Sequence, residues 1–566
     1  MLIINNKFIS FLLLLWFFTI QNALGSAAET NIRKPNILLI LADDIGTGDV
    51  PGYWDTNQVD MPNLQSLISN GVTFTDAHST PLCASSRYAL LSGNYQHRGR
   101  RFMGTFRLNY MHSQFYPEQQ SIAQVLHDQG NYHTAMMGKW HLGGKVPTNS
   151  SFTPTTYEVT TSRILHDDRH DWSQRLEGGP GDIGFNYSYI TAEGIQRAPF
   201  AFIRDDYLDI DQSEIKYWEV GKYDMPHGES MIDKEAGDGA ADWDSTAFNQ
   251  ILVNETEQFL DHHFETRPND PFFAYVALGA VHLPQSPPRN YIDGTPIAGT
   301  QPTAHMDLIA EIDKVVGSLT QQLVDRNLLE ETIIIFTSDN GGLGNNKGSP
   351  NYNSNGPKYR GRKGQIWEGG HRIPLIMRWD GQFPKGERRS HLVGLNDLFA
   401  TLCEIVGVQI PNGQAIDSVD FSRYIYSLNE TENLRDHLGV WQYKYDGRLY
   451  EESIRMDKYK LIKKYKRGSK PRLYDLETDI SETNNIAKSN RLLVKKMYKK
   501  LKKIGACHDD RRSFKVRLES GDKMITTCSW FKMDKVTRCS QYPQGRKRCR
   551  RTCTSEANEC TYPSDV

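Results

Sequence analysis

Residues 36–44, NILLILADD, set the pattern for the fold of this chain. The segment is an unbroken apolar run that ends in two adjacent aspartates, Asp43 and Asp44. Near-continuous apolar runs are typical of parallel strands that are buried on both faces of a sheet. Two carboxylates at the end of such a strand repel each other and are costly to desolvate unless a cation neutralises them. The segment therefore predicts a buried strand whose carboxyl end has a function.

Three further segments share this design, in which an apolar run is followed by polar residues that suit chemistry. They are residues 132–141 (YHTAMMGKWH), with Lys139 and His141, residues 271–282 (PFFAYVALGAVH), with His282, and residues 332–340 (TIIIFTSDN), with Asp339 and Asn340. Segments with helical periodicity separate the runs. The alternation predicts the α/β class, with a large, mainly parallel or mixed sheet between helices. In such sheets ligands bind beyond the carboxyl ends of the strands, so the four endings should meet in one crevice.

Two of these strand ends supply ligands for a metal ion. The residues concerned are Asp43, Asp44, Asp339 and Asn340. They offer only oxygen atoms, which suits one calcium ion, with magnesium as the alternative, rather than zinc. A solvated turn or a helix cap is the competing interpretation of either pair alone. Because both pairs follow apolar strands, the sequence favours the metal site.

Cys83 is the single cysteine, of eight, that lies in the first 400 residues. It opens the stretch CASSRYALLSG, in which small polar residues precede a helical pattern. This places Cys83 at or near a helix N-terminus, where an anion is favoured. A buried small hydrophobe is the competing interpretation of a lone cysteine. The cationic and proton-transferring groups elsewhere are Arg87, Lys139, Lys363, His141 and His282, and with the metal they predict a pocket for a tetrahedral oxyanion.

The sequence Cys83-Ala84-Ser85-Ser86-Arg87, followed by YALLSG, resembles the signature of type I sulfatases. The resemblance covers residues 34–487. Its other motifs, in chain order, are NILLILADD, GKWHLG, ALGAVHLP, FTSDNGG, YRGRKGQIWEGGHRIP and RLYDLETDISETNNIA. It implies an alkaline phosphatase-like fold and a formylglycine-dependent, arylsulfatase-like sulfuric ester hydrolase.

The resemblance also implies how the site would act. Cys83 would be oxidised to formylglycine (3-oxoalanine) in the endoplasmic reticulum by the formylglycine-generating enzyme. One hydroxyl of the hydrated aldehyde would attack sulfur, and the second would later expel sulfate. Calcium would be bound by residue 83 together with Asp43, Asp44, Asp339 and Asn340. Arg87 would polarise the formylglycine, and Lys139 and Lys363 would bind the sulfate. His282 would bind substrate and protonate the leaving alcohol, and His141 would exchange protons with the formylglycine hydroxyls.

Two positions depart from the family pattern. Ser85 stands where Pro or Ala is usual, which affects how efficiently Cys83 would be converted. His371, in WEGGHRIP, stands where a small aliphatic residue is usual, and the sequence gives no account of it.

The N-terminus predicts entry into the secretory pathway. Lys7, the apolar run FISFLLLLWFFTI and the small residues ALGSAA have the layout of a signal peptide, assigned to residues 1–25. A membrane anchor is the alternative, but the run is short for a span. We expect a secreted, extracellular chain with no membrane span, with the lysosome as the alternative location. Glycosylation sequons stand at Asn149, Asn186, Asn254 and Asn429.

Three regions are predicted after the signal peptide: a catalytic domain (33–436), an antiparallel subdomain (437–505) and a basic, cysteine-rich extension (506–566). The subdomain is indicated by the short runs GVWQYKY, KYKLIKKY and PRLYDLETD. Cys403 is predicted to be a buried helical thiol. The extension has six cysteines, enough for three disulfides of undetermined pairing, at Cys507, Cys528, Cys539, Cys549, Cys553 and Cys560.

The leading hypothesis is a secreted sulfatase acting on sulfate esters of a carbohydrate or of a small aryl or steroid alcohol. Residues 152–244, with little periodicity, are predicted to be long loops that select the substrate. One alternative is a related phosphate or phosphonate ester hydrolase. Another is a matrix or sulfated-glycan-binding protein on a sulfatase scaffold, favoured by the basic residues 495–503 and GRKRCRRTC. A formal charge of -2 argues against a nucleic-acid partner.

Overall fold

The computed structural model describes residues 34–55, 58–100, 113–147, 165, 170–225, 228–232, 235–345, 352–427, 432–443, 449–505, 514–517 and 523–526. By its contacts the chain separates into Met1–Pro35 and Asn36–Val566, and the elements below belong to the second unit. The predicted signal peptide, Asn149, Asn429 and the six cysteines of the C-terminal extension lie outside the described residues.

The described ranges form 21 strands and nine α-helices. The strands are β1 (Asn36–Ala42), β2 (Val72–His78), β3 (His133–Lys139), β4 (Tyr187–Thr191), β5 (Ile203–Arg204), β6 (Tyr207–Leu208), β7 (Ile215–Trp218), β8 (Gly221–Met225), β9 (Gly228–Ile232), β10 (Gly237–Ala240), β11 (Phe272–Ala277), β12 (Thr332–Ser338), β13 (Arg372–Arg378), β14 (Glu387–Arg389), β15 (Val393–Gly394), β16 (Leu438–Tyr443), β17 (Leu449–Met456), β18 (Tyr459–Lys464), β19 (Arg472–Asp475), β20 (Phe514–Arg517) and β21 (Lys523–Thr526). The helices are α1 (Pro62–Ser69), α2 (Cys83–Ser92), α3 (Ile122–Gly130), α4 (Phe248–Thr266), α5 (Ala304–Asp325), α6 (Glu368–His371), α7 (Asp397–Ile405), α8 (Ser422–Tyr426) and α9 (Arg491–Ile504).

An 11-stranded mixed sheet forms the centre of the fold. Its order is β14-β2-β13-β12-β1-β11-β3-β4-β5-β6, with β15 also paired to β2. The four apolar runs picked out in the sequence are the adjacent strands β12, β1, β11 and β3, and all three pairings between them are parallel. Their carboxyl ends therefore lie side by side at one edge of the sheet.

Helices cover both faces of this sheet, which explains why its central strands are apolar throughout. In β1, Ile37, Leu39 and Leu41 pack against the helices on one face, whereas Leu38 and Ile40 pack against those on the other. The first layer contains α2, α3, α7 and α8, and the second contains α1, α4 and α5. The predicted α/β class, with a large mixed sheet between helices, is confirmed.

A four-stranded antiparallel sheet, in the order β16-β17-β18-β19, follows the central sheet in the chain. Helix α9 packs on it through the buried side chains of Met497 and Leu501, which join a cluster that includes Leu461 and Leu473. The small antiparallel sheet predicted near the C-terminus is therefore present. The domain limits assigned to it and to the extension stay predictions.

Residues 152–244 were predicted to be long loops, but the described part of this region contains short strands. The described part of residues 170–244 contains strands β4 to β10, and β4 extends the central sheet by pairing in parallel with β3. These strands have two to five residues. Runs this short do not display the alternation by which strands are recognised in a sequence.

Three further features of the described residues bear on the sequence analysis. Cys403 is a buried thiol in α7. Asn186 and Asn254 are exposed, although their glycosylation stays a prediction. No helix in the described ranges is both long enough and apolar enough to cross a membrane.

Candidate active site

Backbone hydrogen bonds hold the predicted strand ends together. Asp43 N donates to Ala280 O (2.9 Å), which joins the end of β1 to the loop after β11. Asp339 N donates to Ala42 O (3.1 Å), which joins the end of β12 to β1. These bonds continue the parallel ladders beyond the strands. As a result, the polar residues that follow the three strands share one crevice.

Three carboxylates and a thiol converge at this point. One ligand atom from each of Asp43, Asp44, Asp339 and Cys83 lies within 4.8 Å of the others, and all four residues are buried. Burial and the neighbouring Asp43 carboxylate raise the pKa of Asp339 to about 6. Burial also acts to raise the pKa of Asp43, but Lys139, His282, Arg87 and Lys363 together outweigh it and hold that pKa well below its usual value. The carboxylates therefore repel one another and depend on cations.

Asn340 completes the group with an amide oxygen. Its Nδ2 donates to Asp44 Oδ1 (2.8 Å) and to Gly341 O (3.0 Å). Its Oδ1 is buried and has no hydrogen-bond partner among the described residues. A buried amide oxygen left unpaired beside three carboxylates is a donor set that fits a hard divalent cation.

Cys83 is the first residue of α2 and is 3% exposed. The helix starts after Leu82, which has an extended backbone, and ends at Gly93, whose φ of 66° is the left-handed conformation that glycine tolerates best. The thiol Sγ lies 3.4 Å from Asp43 Oδ1. Burial and the Asp339 and Asp43 carboxylates raise the pKa of the Cys83 thiol. The unmodified side chain is thus a protonated thiol and a poor nucleophile.

The loop before Cys83 is fixed by hydroxyl groups. Ser85 Oγ lies 2.6 Å from Thr80 Oγ1 and donates to Leu82 O (2.9 Å). Ser86 Oγ lies 2.8 Å from Thr80 Oγ1. Ser85, which departs from the family pattern, therefore ties the first turn of α2 to the preceding loop.

Arg87, one turn further along α2, is completely buried. Its Nε and Nη2 both donate to Asp339 Oδ2, at 3.1 and 2.8 Å. Its Nη1 donates to Lys139 O (2.8 Å). The guanidinium is therefore held rigidly beneath the carboxylates and supplies a fixed positive charge.

Two lysines reach the same carboxylates from other elements. Lys139, the last residue of β3, donates to the Asp43 carboxylate and is fully buried. Lys363, in the loop after β12, pairs with Asp44 Oδ1 at 2.6 Å and has a side chain that is 17% exposed. Both ammonium groups therefore face the crevice.

His282 has its Nδ1 2.5 Å from Leu283 O. A carbonyl oxygen can only accept, so Nδ1 carries the hydrogen and Nε2 faces the crevice, 4.0 Å from Asp44 Oδ2. Burial, Lys363 and Lys139 lower the pKa of His282 to about 4. Its side chain is 18% exposed, whereas that of Asp44 is buried.

His141 lies two residues beyond β3 with a left-handed backbone (φ 58°). Its main-chain N–H donates to Ala192 O (2.9 Å). Both ring nitrogens are buried without a hydrogen-bond partner among the described residues. Burial, Lys139 and Arg87 hold its pKa well below the usual value, so the ring is neutral and able to accept a proton.

All ten predicted active-site residues are described, and their contacts and mutual electrostatic effects place them around one crevice. Their roles remain predictions. Two neighbours were not identified from the sequence. Tyr275 is buried in β11 beside Arg87. Its one signal in the sequence is that a residue with a hydroxyl group stands within an apolar run. Gly194 (φ 83°) approaches Lys139 so closely that a Cβ would lie 3.1 Å from Lys139 Cδ, and its irregular surroundings give no sequence signal.

Comparison with known proteins gives a consistent family. The sulfatase family model matches residues 35–408, and the model for the N-sulphoglucosamine sulphohydrolase C-terminal region matches residues 362–506. The N-acetylgalactosamine-6-O-sulfatase of Bacteroides thetaiotaomicron is 27% identical over 525 residues, covering 84% of this chain and 94% of that protein. The N-acetylgalactosamine-6-sulfatase of Canis lupus familiaris is 29% identical over 415 residues, covering 71% and 68%.

A solved structure shares the fold. It comes from work on the metabolism of multiple glycosaminoglycans by Bacteroides thetaiotaomicron, and is 26% identical with a TM-score of 0.68, covering 83% of this chain and 99% of that one. The match of the sulfatase model extends over both strand ends that carry the buried carboxylates, and over Cys83 and both lysines of the crevice. The chain therefore belongs to the sulfatase family and is a sulfuric ester hydrolase.

Proposed function

We propose that this sulfatase removes sulfate from a carbohydrate sulfate ester, using formylglycine made from Cys83 and one calcium ion. The observation that carries the proposal is a buried thiol at the start of a helix, surrounded by three carboxylates, an unpaired amide oxygen and two lysines. A protonated thiol in that position has no evident nucleophilic use. Its conversion to another group accounts for its place at the centre of the site.

The two absent groups would supply distinct chemistry. Formylglycine at position 83 would provide, as its hydrate, one hydroxyl to attack sulfur and a second to release sulfate. Calcium would bind to Asp43, Asp44, Asp339 and Asn340 and offset the negative charge of the sulfate oxygens.

The lysines and the arginine prepare the crevice for an anion. Lys139, Lys363 and Arg87 balance the charges of the three carboxylates. A divalent cation added to this balanced set gives the site a net positive charge, which favours a sulfate group. Lys139 and Lys363 can then turn from the carboxylates to the sulfate oxygens, while Arg87 stays with Asp339 beneath residue 83.

His282 is placed to protonate the departing alcohol. Its Nδ1–H is committed to Leu283 O, so only Nε2 can exchange a proton with a ligand. The negative charge of a bound sulfate ester beside Nε2 favours the protonated ring. A sugar alkoxide is a poor leaving group, so proton donation of this kind is worth about 10² to 10⁴ in rate.

His141 is suited to the opposite role. Its neutral ring and unpaired nitrogens make it a proton acceptor close to Lys139, Arg87 and Asp43. Removing a proton from the second hydroxyl of the hydrated formylglycine would assist the release of sulfate.

The names of relatives support a carbohydrate substrate. Two of them are N-acetylgalactosamine-6-sulfatases. Passage through the secretory pathway, glycosylation at Asn186 and Asn254, and oxidation by a formylglycine-generating enzyme form part of the proposal. They agree with the leader-like sequence at residues 1–25 and with the exposure of both asparagines.

The test is a desulfation assay on protein secreted from eukaryotic cells. Sulfated saccharides, including N-acetylgalactosamine 6-sulfate, are compared with nitrophenyl sulfate and nitrophenyl phosphate, and Cys83→Ala is the control. We expect release of sulfate from at least one saccharide and turnover of the phosphate ester slower by about a hundredfold or more. Faster turnover of the phosphate ester, or equal activity of Cys83→Ala, would contradict the proposal.

A further inference from the structure

The short helix α6 joins three loops that carry candidate site residues. The backbone hydrogen bonds run from Gly341 N to Gly370 O (3.1 Å), from Ser79 N to His371 O (2.8 Å) and from Gly369 N to Arg360 O (2.7 Å). Two of these loops contain Asn340 and Lys363, and the third leads into Cys83 at the start of α2. The position of α6 therefore affects three places together: the loop that carries Asn340, the start of α2 and the loop that carries Lys363.

The side chains of α6 contact the small antiparallel sheet. Lys460, in β18, is 1% exposed. Its Nζ lies 2.9 Å from Glu368 Oε1, 3.1 Å from His371 Nε2 and 2.8 Å from Glu482 Oε1. Glu482 Oε2 also accepts from Glu368 N (2.8 Å). A single buried ammonium group thus holds both ends of α6.

His371 also contacts a second buried histidine. His371 Nδ1 lies 3.0 Å from His78 Nδ1, and His78 Nε2 lies 2.7 Å from Asp76 Oδ1. His78 is the last residue of β2, five residues before Cys83. Lys460, His371, His78 and Asp76 therefore form a continuous chain of close polar contacts.

Donor and acceptor chemistry gives this chain a direction. The ammonium of Lys460 can only donate, so His371 Nε2 accepts and His371 Nδ1 carries the hydrogen. That hydrogen is donated to His78 Nδ1, which leaves His78 Nε2–H to donate to the Asp76 carboxylate. The three contacts that lead from Lys460 to Asp76 are all satisfied when both histidines are neutral, whereas Ile366 O, 3.2 Å from His371 Nε2, receives no hydrogen from the ring.

The surrounding charges agree with neutral histidines. The charged groups facing the pair are the carboxylates Asp76, Glu368 and Glu482 and the cations Arg372, Arg455 and Lys460, with the Tyr359 ring against Arg372. Three negative and three positive charges cancel. Burial lowers the pKa of both His78 and His371, and Lys460 lowers that of His371 further.

We propose that Lys460, His371 and His78 form a directional hydrogen-bond relay through which the small sheet holds α6, and hence the active-site loops, in the arrangement needed for turnover. His371 is then a positioning residue. The inference rests on the proposed function, because it assumes that Cys83, Asn340 and Lys363 act in catalysis.

Acid should break the relay at one point. With both rings neutral, the nitrogen lone pairs are on His371 Nε2 and His78 Nδ1. A proton added at His78 Nδ1 would break the hydrogen bond between the histidines, whereas a proton added at His371 Nε2 leaves it intact. The new N–H would face the Lys460 ammonium, and its available acceptor is Ile366 O at 3.2 Å. Protonation therefore exchanges the contact with the small sheet for a contact within the loop.

The effect on stability has a definite sign. The folded-state pKa values of both histidines are lowered from 6.5. Above that pH both states carry neutral rings, so the relay contributes fully to stability. As the pH falls below 6.5, the unfolded chain binds protons that the folded chain resists, and the contribution is progressively lost.

The test compares wild-type enzyme with His371→Gln and His371→Val across the range from about pH 7.5 to 4.5. Glutamine can accept from Lys460 and donate to His78 but does not titrate, whereas valine can do neither. The control is His133→Gln, in a second buried histidine pair of the described residues. The Nδ1 atoms of His133 and His263 are 2.9 Å apart, and His133 lies at the opposite end of β3 from Lys139. The values of kcat and KM on a small aryl sulfate and the thermal unfolding midpoint are measured.

We expect His371→Val to lower kcat at neutral pH by about tenfold with KM changed less than about twofold. His371→Gln should keep neutral activity, and its loss of kcat in acid should move to lower pH by about half a unit or more. His133→Gln should keep the wild-type kcat profile. Superimposable kcat profiles for wild type and His371→Gln would overturn the proposal.

The unfolding midpoint separates this inference from the proposed function. If the wild-type enzyme released no sulfate, the proposed function would fail, but the relay would still predict a smaller fall of the midpoint from pH 7 to 5 in His371→Gln than in wild type. Equal falls in the two proteins would overturn the relay whatever the activity.

Discussion

At the scale of single residues, the buried carboxylates explain most of the site. Asp43, Asp44 and Asp339 would be unfavourable in a buried crevice without the positive groups that surround them. Arg87 stays with Asp339 through two hydrogen bonds, whereas Lys139 and Lys363 each meet one carboxylate through a flexible side chain. The arginine is thus a fixed charge, and the lysines are the charges that can move to a ligand.

Replacing Asp339 with Asn should nearly abolish activity and weaken calcium binding. The change removes an anionic ligand and leaves Arg87 without its carboxylate partner. Calcium affinity is measured by titration calorimetry, and turnover is measured at saturating calcium. Asp313→Asn, at a buried aspartate that accepts from Leu64 N, is the control. Near-normal turnover in Asp339→Asn would show that the metal assignment is wrong.

The loss of activity caused by His282→Ala should depend on the leaving group of the substrate. A sugar alkoxide needs the proton from His282, whereas nitrophenolate departs without it. We expect a loss of about 10² to 10⁴ in kcat/KM on a sugar sulfate and a much smaller loss on nitrophenyl sulfate. Equal losses on the two esters would mean that His282 only positions the sulfate.

At the scale of elements, helices α4 and α5 support the loop that carries His282. Asn249 in α4 accepts from Gly279 N (3.1 Å) and donates to Glu311 Oε2 (3.0 Å) in α5. Burial raises the pKa of Glu311 from 4.5 to about 8, so it is protonated at neutral pH. The loop is therefore supported by a neutral hydrogen-bonded pair, Asn249 and Glu311.

Glu311→Gln should raise stability at neutral pH. Because the folded-state pKa of Glu311 is raised, its contribution is complete below pH 4.5 and is lost as the pH rises through about 8. Glutamine keeps an acceptor for Asn249 and removes this loss, which amounts to about 3 kcal/mol at pH 7. Thermal unfolding should show a higher midpoint in the variant at pH 7 and a smaller difference near pH 4.5. A lower midpoint at pH 7 contradicts the argument, and the exposed Glu265→Gln is the control.

Helix α9 presents lysines on the face opposite its packing contacts. Lys495, Lys499 and Lys502 are exposed, while Met497 and Leu501 are buried against the small sheet. Changing the three lysines together to Gln should lower the salt concentration at which the enzyme leaves a sulfated-polysaccharide column, without changing turnover of a small aryl sulfate. The control changes Lys466, Arg467 and Lys470, exposed on a loop of the same sheet, to Gln. Equal elution of both variants would leave the α9 lysines as ordinary solvated surface.

At the scale of the whole molecule, the central strands follow from features that act locally in the sequence. The four central strands were predictable because each is apolar throughout and ends in polar residues. Strands β4 to β10 were not, because their pairing depends on contacts made by very short segments. The role of His371 was also hidden, since its partners Lys460 and His78 are distant in the sequence and meet only where the small sheet contacts α6.

The central claim is that residue 83 of the mature enzyme is formylglycine rather than cysteine. The most direct measurement is the mass of the tryptic peptide that contains residue 83, taken from secreted protein that releases sulfate. We predict a peptide lighter than the cysteine form by about 18 Da that reacts with a hydrazide reagent. An intact, alkylatable thiol at residue 83 in all of the active protein would contradict the account.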